Sequence, residues 1–418
     1  MHQLMQDLFP ICRSITGEGV RQTLRRIQDV IPVKTYEVPS GTKVFDWTIP
    51  KEWNIFDAYV EDMNGNNVID FQINNLHIVG YSVPTDKIVT LEELNEHLYS
   101  LPEQPEAIPY VTSYYNETWG FCVSHNERQK LTEEKYHVVI KSTLDAGNLT
   151  YGEYIIPGES DKEVFLSTYI CHPSLANNEL SGPVVLSYIG KWLASKPRRY
   201  TYRMIFVPET IGAITYLSRN LQELKSRVVA GFNLTCLGDE SGYSYIASRY
   251  GNSYADKVAN NILSTCYPDF IQYSFLDRGS DESQYCSPGV DLPLVTLCRR
   301  KFGSYPQYHT SLDNLDFVTP KALSESYQLI KKCLIAVEKN KKYQINCFCE
   351  PQLGKRGLYP TVSFLNSAAP VKTMLDFITY ADGDNDLIDI SNRLNKPLDD
   401  LFPVVKTLLD AGLLSTLD

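Results

Sequence analysis

The residue types that could do chemistry in this chain gather where short apolar runs end. VFLSTYI (164–170) leads into Cys171-His172-Pro173 and SLANNELSGPVV, YRMIFV (202–207) into Pro208-Glu209-Thr210, and AGFNLTCL (230–237) into Gly238-Asp239-Glu240. LPLVTLC (292–298) follows GSDESQY, which holds Asp281 and Glu282, and precedes SYPQYHTSLDN, which holds His309. In open α/β sheets, ligands bind outside the carboxyl ends of the strands, so these residues can meet at one edge. A zinc-dependent hydrolase needs imidazole and carboxylate ligands, an open coordination position for water, and a separate carboxylate that takes the water's proton. His172 and His309 are the candidate ligands and Glu209 the candidate base. Taken singly, each has an ordinary role, as a hydrogen-bonded structural histidine or a solvated or capping glutamate. Their occurrence together at successive strand ends points to a metal site.

The elements that must position them alternate. Between the apolar runs lie helical stretches VVLSYIGKWLA (184–194), AITYLSRNLQEL (213–224) and YADKVANNILSTC (254–266), a pattern that predicts a largely parallel sheet with crossover helices. An N-terminal helix, GEGVRQTLRRIQDVI (17–31), is expected to pack on that sheet. The stretch from about 36 to 152 instead alternates turn-rich segments with β-favouring runs, VIDFQI (68–73), HIVGYSV (77–83) and HVVIKSTL (137–144). It reads as a β-rich insertion. The tail carries three helical candidates, PVKTMLDFITYA (370–381), DLIDISNRLN (386–395) and LDDLFPVVKTLLDAGLL (398–414), spaced like a winged helix-turn-helix.

Composition bounds the function. With 418 residues, 43% hydrophobic and 21% charged, the chain has material for two or three globular domains. A net charge of −11 disfavours binding to nucleic acid or an anionic membrane by the whole chain. The tail repeats that sign, since Asp386, Asp389, Asp399, Asp400 and Asp410 face only Arg393, Lys396 and Lys406 on its second and third helices. Protein contact or self-association is therefore the expected use of the tail. Ten scattered cysteines give no disulfide or zinc-knuckle pattern. The N-terminal residues lack a secretory apolar core, and no run of about 18 apolar residues is present, so a cytoplasmic location is expected.

CHPSLANNELSG, PETIGA, GSDESQY and YHTSLDN, in that order, resemble the zinc aminopeptidase and glutaminyl-cyclase superfamily. VPSGTKVFDW, NNLHIVGYS, SLPEQPEAIPYVTSYY, WGFC and EPQLGKRGLYP carry the resemblance further, to a bacterial family of aminopeptidase-like proteins associated with polysaccharide biosynthesis. It implies an α/β fold with a zinc-exopeptidase-like mixed sheet flanked by helices (1–35 and 153–350), an inserted β-rich, jelly-roll-like domain (36–152) and a C-terminal winged helix-turn-helix (351–418).

Matched residue by residue, His172 and His309 take the imidazole ligand positions and Glu209 the base. Tyr308 takes the place of a tyrosine that steadies the oxyanion, and Asp281 that of an aspartate hydrogen-bonded to the catalytic network. Three ligand positions depart from the superfamily pattern. The bridging aspartate becomes Asn178, with Glu179 beside it; the second acid after the base becomes Thr210; and a further aspartate becomes Thr235, with Asp239 four residues on. An amide is a weak ligand that cannot neutralise two cations, so one zinc is expected rather than two, held by His172, His309 and a carboxylate, Glu179 first, with Asp239 and Asp281 in reserve. Ser181 as N-cap and Pro183 in the first turn are expected to start the next helix, with Glu179 capping it as the alternative. Arg249, Arg299 and Arg300 flank the sheet end, where they could meet a substrate carboxylate or stand in solvent.

Three functions follow as expectations. The first is zinc-dependent hydrolysis of a small peptide or amide substrate, with deacylation of an amino sugar as a variant. The second is a catalytically degenerate peptidase fold acting as a binding or assembly module, a homo-oligomer included. DNA binding through the tail comes last.

Overall fold

The computed structural model describes residues 1–359 and 369–417. Two compact units are present, residues 1–253 with 271–328, and residues 254–270 with 329 onward.

The first unit is built on an eight-stranded mixed sheet. Its strand order is Lys34–Pro39, Asn148–Ile156, Tyr200–Val207, Ser160–Tyr169, Val228–Leu234, Leu294–Cys298, Ser244–Ile246 and Ile271–Tyr273. The four strands at 200–207, 160–169, 228–234 and 294–298 run parallel, as the alternating pattern predicts, and the flanking strands 148–156 and 244–246 are antiparallel to them. Parallel strands are covered on both faces, which is why these stretches are apolar runs rather than alternating ones; residues 163–170 are buried without a break. The crossover helices form at Ser181–Leu193 and Ile211–Arg227. The N-terminal helix Glu18–Gln28 lies on strand Asn148–Ile156, where a side chain at Gly152 would collide with Leu24 and Val33.

Strands Lys34–Pro39 and Asn148–Ile156 pair antiparallel inside the main sheet, so the insertion leaves and re-enters through adjacent strands. Its body is a four-stranded antiparallel sheet, ordered Asn67–Asp70, Glu52–Glu61, Lys135–Asp145, Thr85–Thr90, with two separate two-stranded pairs. HVVIKSTL enters that sheet in full, and VIDFQI only through residues 68–70, residues 71–73 being a turn. HIVGYSV does not: residues 75–77 form a 3-10 turn, Ile78 and Gly80 make only isolated bridges, and Tyr81 has a left-handed φ of 69°.

In the second unit, helices Ala369–Tyr380, Leu387–Leu394 and Leu398–Asp410 accompany a three-stranded sheet of Asp382–Asp386, Lys342–Ile345 and Leu414–Leu417. Its middle strand lies before residue 351, the boundary read from sequence, because Lys342–Ile345 pairs with strands on both sides. Helix Tyr254–Cys266, read as a crossover helix, also belongs to this unit. Lys257 pairs with Asp386 at 2.6 Å and Asp389 at 2.8 Å, and Asn261 donates to Ser391 at 2.8 Å. Two of the tail's acids are thus occupied by packing. Among the described residues, no helix is long and apolar enough to cross a membrane.

Candidate active site

Parallel strands end on one side, and the loops that follow them there are strained. Ser174, Thr210, Cys236 and His309 all have positive φ without being glycine. Such conformations persist only where surrounding contacts over-determine them, and they concentrate at functional sites. At Thr210 the angles are φ 63° and ψ −77°, and Ile211 N–H donates to Glu209 O at 2.8 Å. That is the strained form of the three-residue γ-turn, and it projects Glu209 from the end of strand Tyr200–Val207.

His172 is 3% exposed and lies between two glutamates. Its Nδ1 donates to Glu179 Oε2 at 2.8 Å, and its Nε2 lies 3.7 Å from Glu209 Oε2. Burial works against the charged imidazole, but the Glu179 hydrogen bond and charge outweigh it and hold His172 above its ordinary value. His309 approaches from the other side, with ring centroids 5.3 Å apart. Burial and then the neighbouring His172 push His309 down to about 3, so it is a neutral imidazole, the form that binds metals. Tyr308 stacks on His309 at 3.9 Å and 13°, and burial raises its phenol, which stays protonated.

Glu209 accepts from Ser280 Oγ at 2.8 Å, and its N–H donates to Cys171 Sγ at 3.2 Å. Burial raises its carboxyl; His172 and Ser280 oppose this, while Glu179 and Glu282 reinforce it. Asp281 is fully buried, accepts from Thr210 N–H at 2.7 Å through Oδ1, and leaves Oδ2 without a partner. Burial and the charge of Glu209 push it well above the usual carboxylate range. Asp281 therefore fixes the γ-turn that carries Glu209. Glu282 accepts from Gly279 N–H and Thr296 Oγ1, both at 2.8 Å.

His172, His309, Glu209, Tyr308 and Asp281 thus lie in one connected neighbourhood. Glu179 reaches it on the far side of the His172 ring. Its Oε1 lies 3.5 Å from Nε of the buried Arg13, so it pairs with an arginine while orienting the imidazole. Cys171, His172 and Glu179 each offer a donor atom, all within 4.8 Å of one another. Asp239, one of the two reserve ligands, is instead held by Asn177 Nδ2 at 3.1 Å and Ser241 N–H at 2.8 Å, two contacts that turn it into the loop following its strand. Ser181 does not cap its helix. A π-turn, Ala176–Leu180, runs straight into Ser181–Leu193, and the Ser181 hydroxyl bonds Asn177 O and Leu237 N–H. Glu179 does not cap it either. Arg249 is paired with Asp291 and Arg299 with Glu325 and Ser241 O, while Arg300 is exposed.

At the altered ligand positions, Asn178 Nδ2 donates to Tyr169 OH at 2.7 Å, and Thr235 Oγ1 bonds Tyr169 OH at 2.5 Å and Asn178 O at 3.1 Å. This network is neutral, and Asn178 Oδ1 within it has no partner. The chemistry of the donors suits a metal ion: a neutral imidazole at His309, and a His172 whose Nδ1 is held by Glu179, the outer-shell arrangement that leaves Nε2 to a metal. A second cation would meet an amide and two hydroxyls in place of carboxylates. Arg13, Tyr110, Tyr169 and Asp313 also shape the site and were not singled out by motif; only Tyr110 and Asp313 lie in segments that carry the family resemblance, AIPYVTSYY and YHTSLDN.

Residues 2–340 match the family described as a domain of unknown function, DUF4910, and residues 341–416 match a winged helix-turn-helix. A Clostridium acetobutylicum protein, named as a polysaccharide biosynthesis protein with an aminopeptidase-like domain, is 45% identical over 396 residues, covering 94% of this chain and 91% of its own. A crystal structure of a C. acetobutylicum protein named as a peptidase aligns over 100% of this chain and 96% of its own, with TM-score 0.94 and 42% identity. A zinc aminopeptidase from Bacillus subtilis aligns over 80% of this chain and 93% of its own, with TM-score 0.56 and 13% identity, a likeness of fold. The chain therefore belongs to the DUF4910 family, in which it joins an aminopeptidase-like α/β fold to a C-terminal winged helix.

Proposed function

We propose that the protein is a one-zinc hydrolase of amide bonds, acting on a small peptide or amide substrate in the manner of an aminopeptidase. The observation that carries this reading is the pairing of two imidazoles, with ring centroids 5.3 Å apart, beside a carboxylate that lies 3.7 Å from His172 Nε2. His172 through Nε2 and His309 would hold the ion; Glu179, expected from the sequence as the carboxylate ligand, would instead fix the His172 ring through Nδ1. Bound zinc supplies Lewis acidity toward the carbonyl and lowers the pKa of water. Glu209, whose proton affinity is raised by burial, takes the proton of the attacking water and returns it to the leaving amine. The protonated Tyr308 phenol is suited to donate to the oxygen that gains charge. The neutral Asn178–Tyr169–Thr235 network supports a single ion, because it offers nothing to offset a second dication.

Metal analysis tests the reading first. Protein purified without chelators should carry about one zinc per chain, and removing it should abolish turnover. Content well below one, with no reconstitution, would sink the hydrolase reading. Glu209→Gln should then lose activity at least about a hundredfold with zinc content unchanged; surviving activity would remove Glu209 from the role of base. The altered ligand positions also favour a second reading, a binding or assembly module on a peptidase fold, and the relative's name would place such a module in polysaccharide biosynthesis. A metal-free, inactive protein is the outcome that favours it.

A further inference from the structure

The inserted segment 104–114 touches the site, and its contacts bracket His309. Pro109 forms an isolated antiparallel bridge with Thr310, and Ile108 and Ser311 exchange two hydrogen bonds, Ile108 N–H to Ser311 Oγ at 3.0 Å and Ser311 N–H to Ile108 O at 2.9 Å. Gln104 Nε2 donates to Pro306 O at 3.1 Å. Between these, Tyr110 N–H donates to the carbonyl of His309 at 2.8 Å. His309 sits at φ 55°, a conformation that a non-glycine residue keeps only when its neighbours enforce it. The Tyr110 ring then fills the angle between the imidazoles. Its centroid is 5.1 Å from His172 and 5.1 Å from His309, edge-on to the latter at 84°. Tyr308 stacks on the His309 face, and the Tyr110 hydroxyl lies 3.2 Å from that of Tyr114.

We propose that Tyr110 is a positioning residue for the metal site: through it, the inserted domain fixes the separation and orientation of His172 and His309. The insertion is then a working wall of the site. This rests on the one-metal reading above.

The test uses the full-length chain and zinc alone as the probe, with affinity measured by competition against a chromophoric chelator. Tyr110→Phe keeps the ring and should bind zinc within about threefold of wild type, whereas Tyr110→Ala and Tyr110→Leu should bind at least about tenfold more weakly, the range seen when outer-shell support of a ligand is lost. Leu preserves bulk, so it covers the case in which Ala fails to fold. Val89→Ala, in the buried face of the inserted sheet, should lower Tm without changing zinc affinity. Wild-type affinity in Tyr110→Leu, or an equal loss in Val89→Ala, would overturn the proposal. The metal-free protein gives a second measurement: the imidazole nitrogen NMR signals of His309 should be single and narrow in wild type and Tyr110→Phe, and broadened or doubled in Tyr110→Leu. If wild type binds no zinc, the hydrolase reading fails, and these signals alone still decide Tyr110; narrow signals in Tyr110→Leu refute its role.

Discussion

Arg13 and Glu179 form an ion pair whose side chains are both wholly buried. Arg13 Nε also donates to His172 O at 2.8 Å, so one guanidinium holds the histidine's backbone while its partner carboxylate holds the ring. Removing one member of a buried pair leaves the other charge without compensation. Arg13→Met should cost about 3–5 kcal/mol in urea or guanidinium unfolding, and Arg13→Met with Glu179→Gln should recover part of it. Asp313 makes a different kind of prediction. It accepts from Asn177 N–H at 2.6 Å and Asn178 N–H at 2.9 Å, shaping the π-turn, and burial pushes it up to about 7 despite those bonds. Its folded value lies above its unfolded one, so the folded protein holds the proton more tightly. The stability it contributes is complete below about pH 4 and lost as pH rises through about 7. Unfolding titrations of metal-free wild type and Asp313→Asn across that window should differ in slope, with a ceiling of roughly 4 kcal/mol for the wild-type loss. Parallel pH profiles would show that Asp313 does not titrate there.

At the scale of elements, the site depends on how closely helix Ser181–Leu193 approaches the sheet. Gly182 faces Thr168 Oγ1 and the Leu234 carbonyl so closely that a Cβ would overlap both. Gly182→Ala therefore has to push the helix start off the strands, and the π-turn bearing Asn178 and Glu179 moves with it. A loss of about 1–3 kcal/mol is expected, read as a lower denaturation midpoint at unchanged m-value. The γ-turn at Thr210 is held on the opposite wall in a similar way, by Asp281 from a separate loop and by the absence of a side chain at Gly212, where a Cβ would come within 2.6 Å of Pro208 Cδ. Both walls of the site are thus tuned by close packing of a helix start onto a strand end.

At the scale of the whole molecule, the insertion and the tail differ in what they add. The insertion brings Tyr110 to the two imidazoles. The tail is built as a winged helix but carries acids where phosphate contacts would need bases, and two of them are occupied by Lys257. Asp399 pairs with Lys332 and Lys406 with Asp410, leaving little basic surface on helix Leu398–Asp410. Fluorescence anisotropy with duplex DNA at low salt is expected to give no saturable binding. Saturable binding that weakens steeply with salt would mean that the tail reads phosphate after all.

Local pattern was enough to read the four central strands, the helices between them and the three tail helices, because burial on both faces and helical periodicity are written into neighbouring residues. It also grouped His172, Glu209 and His309, since parallel strands deliver whatever follows them to one edge, whereas Asp281 precedes its strand and reaches the site through its bond to the Thr210 turn. HIVGYSV misled because its β-favouring composition says nothing about partners, and only single bridges await it. Glu179 lies in the right turn, but whether its oxygens face an ion, an imidazole or an arginine depends on Arg13, some 160 residues away in sequence. Asp239, Asp313, Tyr169 and Tyr110 are decided in the same way, by distant segments meeting. Which chemical groups arrive at the strand ends is written in the chain; which of them stay available follows only from the fold, because most buried polar atoms are taken by a neighbour and a few, Asp281 Oδ2 and Asn178 Oδ1 among them, are not.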